Sequence, residues 1–182
     1  MLQLIIPERE YFDDEKQEFI VYPEQKLNLE HSLISISKWE SKWQKPFLEQ
    51  KDLKVSEFID YVRCMTLNSN VDPDVYKRLT NKELNEVIVY NNNKMTATWF
   101  NDKDQPKKPG KGQVITSELI YYWMTAFNVP FECEKWHLNR LLTLIRICEL
   151  KNQPSKKMKK RDIYKSNAAL NKARREKFGS KG

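Results

Sequence analysis

The sequence predicts an α+β chain that is mainly α: a small N-terminal antiparallel β-meander packed on a helical bundle, with a basic C-terminal helical tail. Three observations carry that expectation. Near the start the apolar residues alternate or cluster in short β-rich runs, and from Ser32 onward their period lengthens to about 3.6. Helix-start signals recur through the chain that follows. Charge is partitioned, since residues 151–182 hold 12 Lys/Arg against two Asp/Glu and the rest of the chain holds 20 against 23. The net charge of +7 therefore belongs to the tail, and the body is mildly acidic.

With 182 residues, 40% of them hydrophobic and 12% aromatic, the chain suits one globular domain with an appendage. The expected layout is a single domain over 1–152 and a basic tail over 153–182. Within the domain, 1–31 form the meander, 32–100 a first helical part, 101–113 a loop, and 114–152 a central helical pair.

The meander rests on "LQLII", "EFIVY" and "KLNLEH", separated by "PEREYFDDEKQ" and the turn at Pro23. Helices are expected at 55–68, 73–79 and 80–92. Asp72-Pro73 offers an N-cap followed by proline in the first turn, and Thr80 with Glu83 forms a capping box. The stretch 101–113 combines Pro, Gly and charge and reads as a loop. "SELIYYWMTAF" is apolar nearly all round, which predicts a buried helix over 117–127. Val129-Pro130 ends it, and the longest helix is expected over 131–150, ending before Pro154.

Trp39 and Trp43 sit four residues apart in a lysine-rich segment. At about 100° per residue they share an arc of roughly 120° with Leu33, Ile36 and Phe47, while Lys38, Lys42 and Lys45 occupy another. A stacking surface for nucleic acid interleaves aromatic and basic groups; here they are segregated, so both tryptophans are assigned to the core. Glu40 falls inside the same apolar arc. A buried carboxylate must be paired, hydrogen-bonded or protonated, and Arg140 or His137, each projecting onto an apolar face of the last helix, is the expected partner. Glu40, His137 and Arg140 are thus expected as structural buried polar groups.

No catalytic residues and no cofactor are expected. The chain has four glycines and contains no phosphate-binding glycine loop or nucleophile elbow. His31 lies at a predicted strand-to-helix junction. Cys133 and His137 have i,i+4 spacing, but Cys148 lies about 16 Å further along a continuous helix at ~1.5 Å per residue, which excludes a shared metal ion. Three cysteines without a CxxC spacing fit a reducing compartment. No signal sequence or membrane span is read, so a cytosolic protein without membrane attachment is expected.

The tail looks helical from about Lys159 to Phe178 with a thin apolar stripe. Lys156, Lys157, Lys159, Lys160, Arg161, Arg174 and Arg175 are its candidate partner contacts, named for charge density. Three readings stay open: a solvated extension, a site for an acidic protein segment, and a phosphate-binding site for nucleic acid.

Several blocks, "EHSLISISKWESKWQKPFL", "IDYVRCMTLNSNVDPDVYKRLT", "MTATWF", "ITSELIYYWMTAFNVPFECEKWHLNRLLTLIRICELKNQPSKKM" and "NAALNKARREKFGSKG", together resemble a family of tailed-bacteriophage proteins labelled tail assembly chaperones. The resemblance runs through nearly the whole chain. It implies a non-enzymatic morphogenesis factor of the host bacterial cytoplasm that binds phage tail proteins such as the tape-measure protein during assembly. It brings no catalytic or binding residues. The alternative is a nucleic-acid-binding phage protein that uses the basic tail.

Overall fold

The computed structural model describes residues 1–15, 17–50, 53–100, 114–152 and 160–179, apart from the side chains of Asp13 and residues 160–163. It is α+β and mainly helical, in two compact units, Met1–Lys151 and Asn152–Gly182. The loop expected at 101–113 lies outside the described residues.

The β region consists of two antiparallel ribbons. β1 (Leu2–Ile6) pairs with β4 (Gln25–Leu29), and β2 (Arg9–Asp13) pairs with β3 (Glu18–Tyr22) as a hairpin nested between them. β2 falls in a segment that the sequence assigns to a connection. Its charges disguise it: "REYFD" is mostly polar, and only pairing with the apolar "EFIVY" makes it a strand.

Alternation decides which face of β1/β4 turns inward. Leu4, Ile6, Leu27 and Leu29 are buried, whereas Ile5 points outward. The second edge of β4 is covered by the chain after helix α2 (Val55–Met65): Leu67 N donates to Asn28 O at 2.8 Å, and Glu30 N to Met65 O at 3.0 Å. An open strand edge is thereby closed.

Helix α1 (Leu33–Trp43) starts at Ser32, whose hydroxyl accepts from Ser35 N, and stops where Gln44 takes a left-handed conformation. Leu33, Ile36 and Trp39 are fully buried and face α2, which contributes Tyr61, Val62 and Met65 to the same core. The expected short helix at 73–79 is a 3-10 turn over Pro73–Arg78 capped by Asp72. The capping box of Thr80 and Glu83 opens α3 (Asn81–Asn91).

Two expectations for the later helices need correction. α4 (Ser117–Ala126) buries Ser117, Ile120 and Met124, but Tyr122 is exposed, so only one face is covered. The helix expected over 131–150 is divided. Phe131–Lys135 form a 3-10 turn, Trp136 is extended, and α5 (Leu138–Asn152) begins two residues later. Tertiary pairing causes the break: Ser32 bridges His137, and Leu138 N donates to His31 O at 2.7 Å. The backbone at 136–138 is claimed by the 31–32 junction and so cannot continue a helix. The second unit contains α6 (Lys160–Phe178).

Candidate functional site: a basic helix and a buried polar junction

α6 carries seven Lys/Arg against Asp162 and Glu176. Its C-terminal end is locally stable for two reasons. Arg175 and Lys177 lie in the last turn, where the helix dipole favours cations, and Gly179 follows with φ +62°, the left-handed geometry that terminates helices. Arg174 and Arg175 are exposed. Lys156, Lys157 and Lys159 lie outside the described residues; Lys160 and Arg161 belong to the first turn of α6, with side chains outside the description. Among its described side chains the large apolar ones are uncovered: Tyr164 is 72% exposed, Leu170 53% and Phe178 75%.

Within Met1–Lys151 the predicted polar residues divide. Glu40 is buried, but its partner is neither Arg140 nor His137. Its carboxylate accepts from Phe47 N at 2.8 Å and from Ser117 N at 2.7 Å. Each oxygen thus takes one backbone amide, which joins the chain after α1 to the first turn of α4. Charge-assisted bonds of this kind are among the stronger ones, and the α4 N-terminus favours a nearby anion. Arg140, expected to be buried, is exposed; its guanidinium stacks 4.2 Å over the Trp136 ring. A guanidinium that snorkels over an indole avoids desolvation altogether, so the projected apolar face did not trap it.

His137 is buried and faces His31, their ring centroids 5.1 Å apart. His137 Nε2 lies 3.2 Å from the Tyr90 carbonyl oxygen, and Asn139 N donates to His137 Nδ1 at 3.3 Å. One neutral tautomer, protonated at Nε2, satisfies both contacts. His31 Nδ1 lies 2.5 Å from the Tyr61 hydroxyl. The Tyr90 hydroxyl donates to Glu30 at 2.6 Å, and the Met1 ammonium pairs with the same carboxylate at 2.8 Å.

Burial resists charge on both imidazoles. It lowers His31 from the ordinary value to about 3, helped by the adjacent His137, and lowers His137 in the same direction. Burial likewise raises the Tyr61 and Tyr90 hydroxyls, with Glu30 adding to the effect on Tyr90. The junction therefore holds two neutral imidazoles beside the Glu30 carboxylate, and together these groups tie the β4–α1 connection to α2, α3 and α5. Cys133 is buried and its thiol pushed up by burial, which disfavours a reactive thiolate. Among the described residues no three His, Cys, Asp or Glu side chains are arranged to hold a metal ion. No helix among them is long and apolar enough to cross a membrane.

Sequence reasoning missed Tyr61, Tyr90 and Glu30, because nothing local marks a tyrosine whose hydroxyl will meet a histidine or a carboxylate thirty or more residues away. It also missed Arg78. That guanidinium is buried, lies 4.7 Å over the Tyr22 ring, and has no hydrogen-bond partner at Nε or Nη1 among the described residues. The preceding "YK" in an exposed-looking turn offered no signal for its burial. No protein-family model matches this chain, and no match was found among curated proteins or solved structures.

Proposed function

We propose that the protein is a non-enzymatic partner-binding factor of bacteriophage tail assembly. In this reading it acts in the host cytoplasm as a chaperone of the tape-measure protein, with α6 as the client-binding element. The observation that carries the reading is the combination on α6 of strong positive charge with Tyr164, Leu170 and Phe178 left exposed. A helix that buries so little of itself is marginal in water and gains order when a partner covers its apolar side chains. The complementary client is an acidic amphipathic segment. Its charge would steer encounter, and the three apolar side chains of α6 would set register.

The resemblance to tail assembly chaperones supplies the client, and α6 supplies a surface of suitable chemistry. The same cationic surface also suits phosphates, which is the nucleic-acid alternative. A pull-down from infected cells separates them, using the full chain and a chain ending at Asn152, with nuclease present and washes at moderate salt. Recovery of a large tail protein by the full chain alone is the expected result. Recovery that nuclease abolishes would replace the chaperone reading with nucleic-acid binding.

A further inference from the structure

The β2/β3 hairpin presents a second unsatisfied surface. Its strands pair with each other and not with β1 or β4. Register places Phe12 opposite Phe19 and Glu10 opposite Val21, so these four side chains share one face. That face is wet: Phe12 is 46% exposed, Val21 50% and Phe19 69%. The two phenylalanine rings meet edge to face at 5.1 Å, which makes a preformed aromatic ridge.

The base of the hairpin is held to the body. Arg9 Nη1 donates to Arg78 O at 2.9 Å, Arg9 pairs with Glu83 at 3.5 Å, and the Arg78 guanidinium covers the Tyr22 ring. The ridge is therefore displayed from a fixed root. Its surroundings are acidic, because residues 8–18 hold six carboxylates against Arg9 and Lys16, and Arg9 is engaged at the root. On the other face of the ribbon Tyr11, Ile20 and Tyr22, with Phe12, Asp14 and Glu15 at its border, line a shallow open depression suited to a cationic side chain.

An apolar ridge in an acidic surround calls for a basic helix with a few exposed apolar residues. The chain carries one. Leu170, Arg174, Phe178 and Tyr164 project within one arc of about 120° on α6, so a guanidinium stands among the apolar side chains. We infer that the hairpin docks α6 of a second copy of this chain, Leu170 and Phe178 against Phe12 and Phe19, and Arg174 and Arg175 toward Glu10 and Asp14. The two halves of this contact are different surfaces, so the contact is heterologous and each bound copy leaves one hairpin and one α6 open. The inference rests on reading α6 as a binding element, and it gives that element a partner before any client is present.

Sedimentation of the full-length protein without client tests it at low salt, with three proteins: the natural chain, Phe12→Ser/Phe19→Ser, and Arg174→Glu/Arg175→Glu. All six exchanged side chains are exposed, and circular dichroism melts are to check that folding is retained; Glu10→Lys/Asp14→Lys serves as a second hairpin variant. The natural chain is expected to grow in mean mass with concentration, without stopping at a dimer. Each variant alone is expected to remain a monomer, and an equimolar mixture of a hairpin variant with the α6 variant to form a dimer that grows no further. A natural chain that stays monomeric at roughly 0.1 mM, a range that still detects weak association, overturns the proposal, as does association that both variants preserve. No client enters this measurement, so its failure leaves the pull-down result standing, and the reverse holds too.

Discussion

α1 and α6 are made of similar materials and meet different fates. Each is a helix with lysines and aromatic residues; in α1 the two classes project to different arcs, and in α6 Arg174 projects among the apolar side chains. In α1 the aromatic arc is covered: Trp39 is fully buried, stacks on Trp43 at 6.1 Å, meets Phe47 edge to face at 5.1 Å, and donates from Nε1 to Glu57 O at 2.9 Å. In α6 the corresponding side chains remain exposed. The difference teaches that an apolar arc states a demand for cover without naming the cover. α1 finds it in α2 and α4 of its own chain, and the lysines beside it pair with Asp60 and Glu57. α6 has too few large apolar residues to create a core, and Tyr164, Leu170 and Phe178 stay exposed.

The sharpest way to break the contrast is to empty the covered arc. Trp39→Ala removes a fully buried indole and its hydrogen bond, and is expected to cost about 3–5 kcal/mol, read as a lowered urea midpoint. Next comes Glu40→Gln, which leaves one of two buried backbone amides without an acceptor. A loss of about 1–3 kcal/mol is expected. Combined with Arg140→Met it should be additive within about 0.5 kcal/mol, since the two side chains have separate partners; a larger coupling would restore the ion pair that the geometry denies.

A pH titration probes the neutral junction beneath α1. In the unfolded chain His31 titrates near its ordinary value of 6.5, and in the folded chain it resists protonation down to about 3. The unfolded state therefore binds more protons throughout that window. Stability is complete above about pH 6.5 and declines as pH falls toward 3, with His137 contributing in the same direction. Denaturant midpoints from pH 7.5 to 4.5 should show the decline, and His31→Gln should flatten it; an unchanged slope would place the titration elsewhere.

The smallest expected effect on stability sharpens the other side of the comparison. Arg174→Glu with Arg175→Glu should change the unfolding free energy of the body by under about 0.5 kcal/mol, because neither side chain is buried. The same pair of substitutions should abolish partner recovery in the pull-down. A stability effect as large as that of Glu40→Gln would mean that α6 is covered after all.

How much was legible from sequence differs by residue and for physical reasons. The burial of Trp39 and Glu40 follows from one angular projection, because helical periodicity reports which side chains share a face. The partners of Glu40 do not, since they are the amides of Phe47 and Ser117 and every residue but proline has an amide to offer. Arg140 shows the limit from the other side: it was projected onto an apolar face and expected to be buried, yet it is exposed, its guanidinium over the Trp136 ring. The second strand of the hairpin escaped notice because its own residues are largely charged and its structure is conferred by Val21, Ile20 and Phe19 across the ribbon.

By itself the sequence determined the mainly helical α+β class, the caps at Asp72 and Thr80, the arc that buries α1, and the concentration of positive charge after residue 150. All of these depend on neighbours within a turn or two of chain, where spacing and side-chain chemistry act directly. Tertiary structure alone decided that β1 reaches past the hairpin to β4, that the helix over 131–150 breaks where His137 meets Ser32, and that Glu40 closes on backbone. Those outcomes depend on which distant groups compete for the same hydrogen bonds and the same apolar cover, and that competition is settled only when the chain packs.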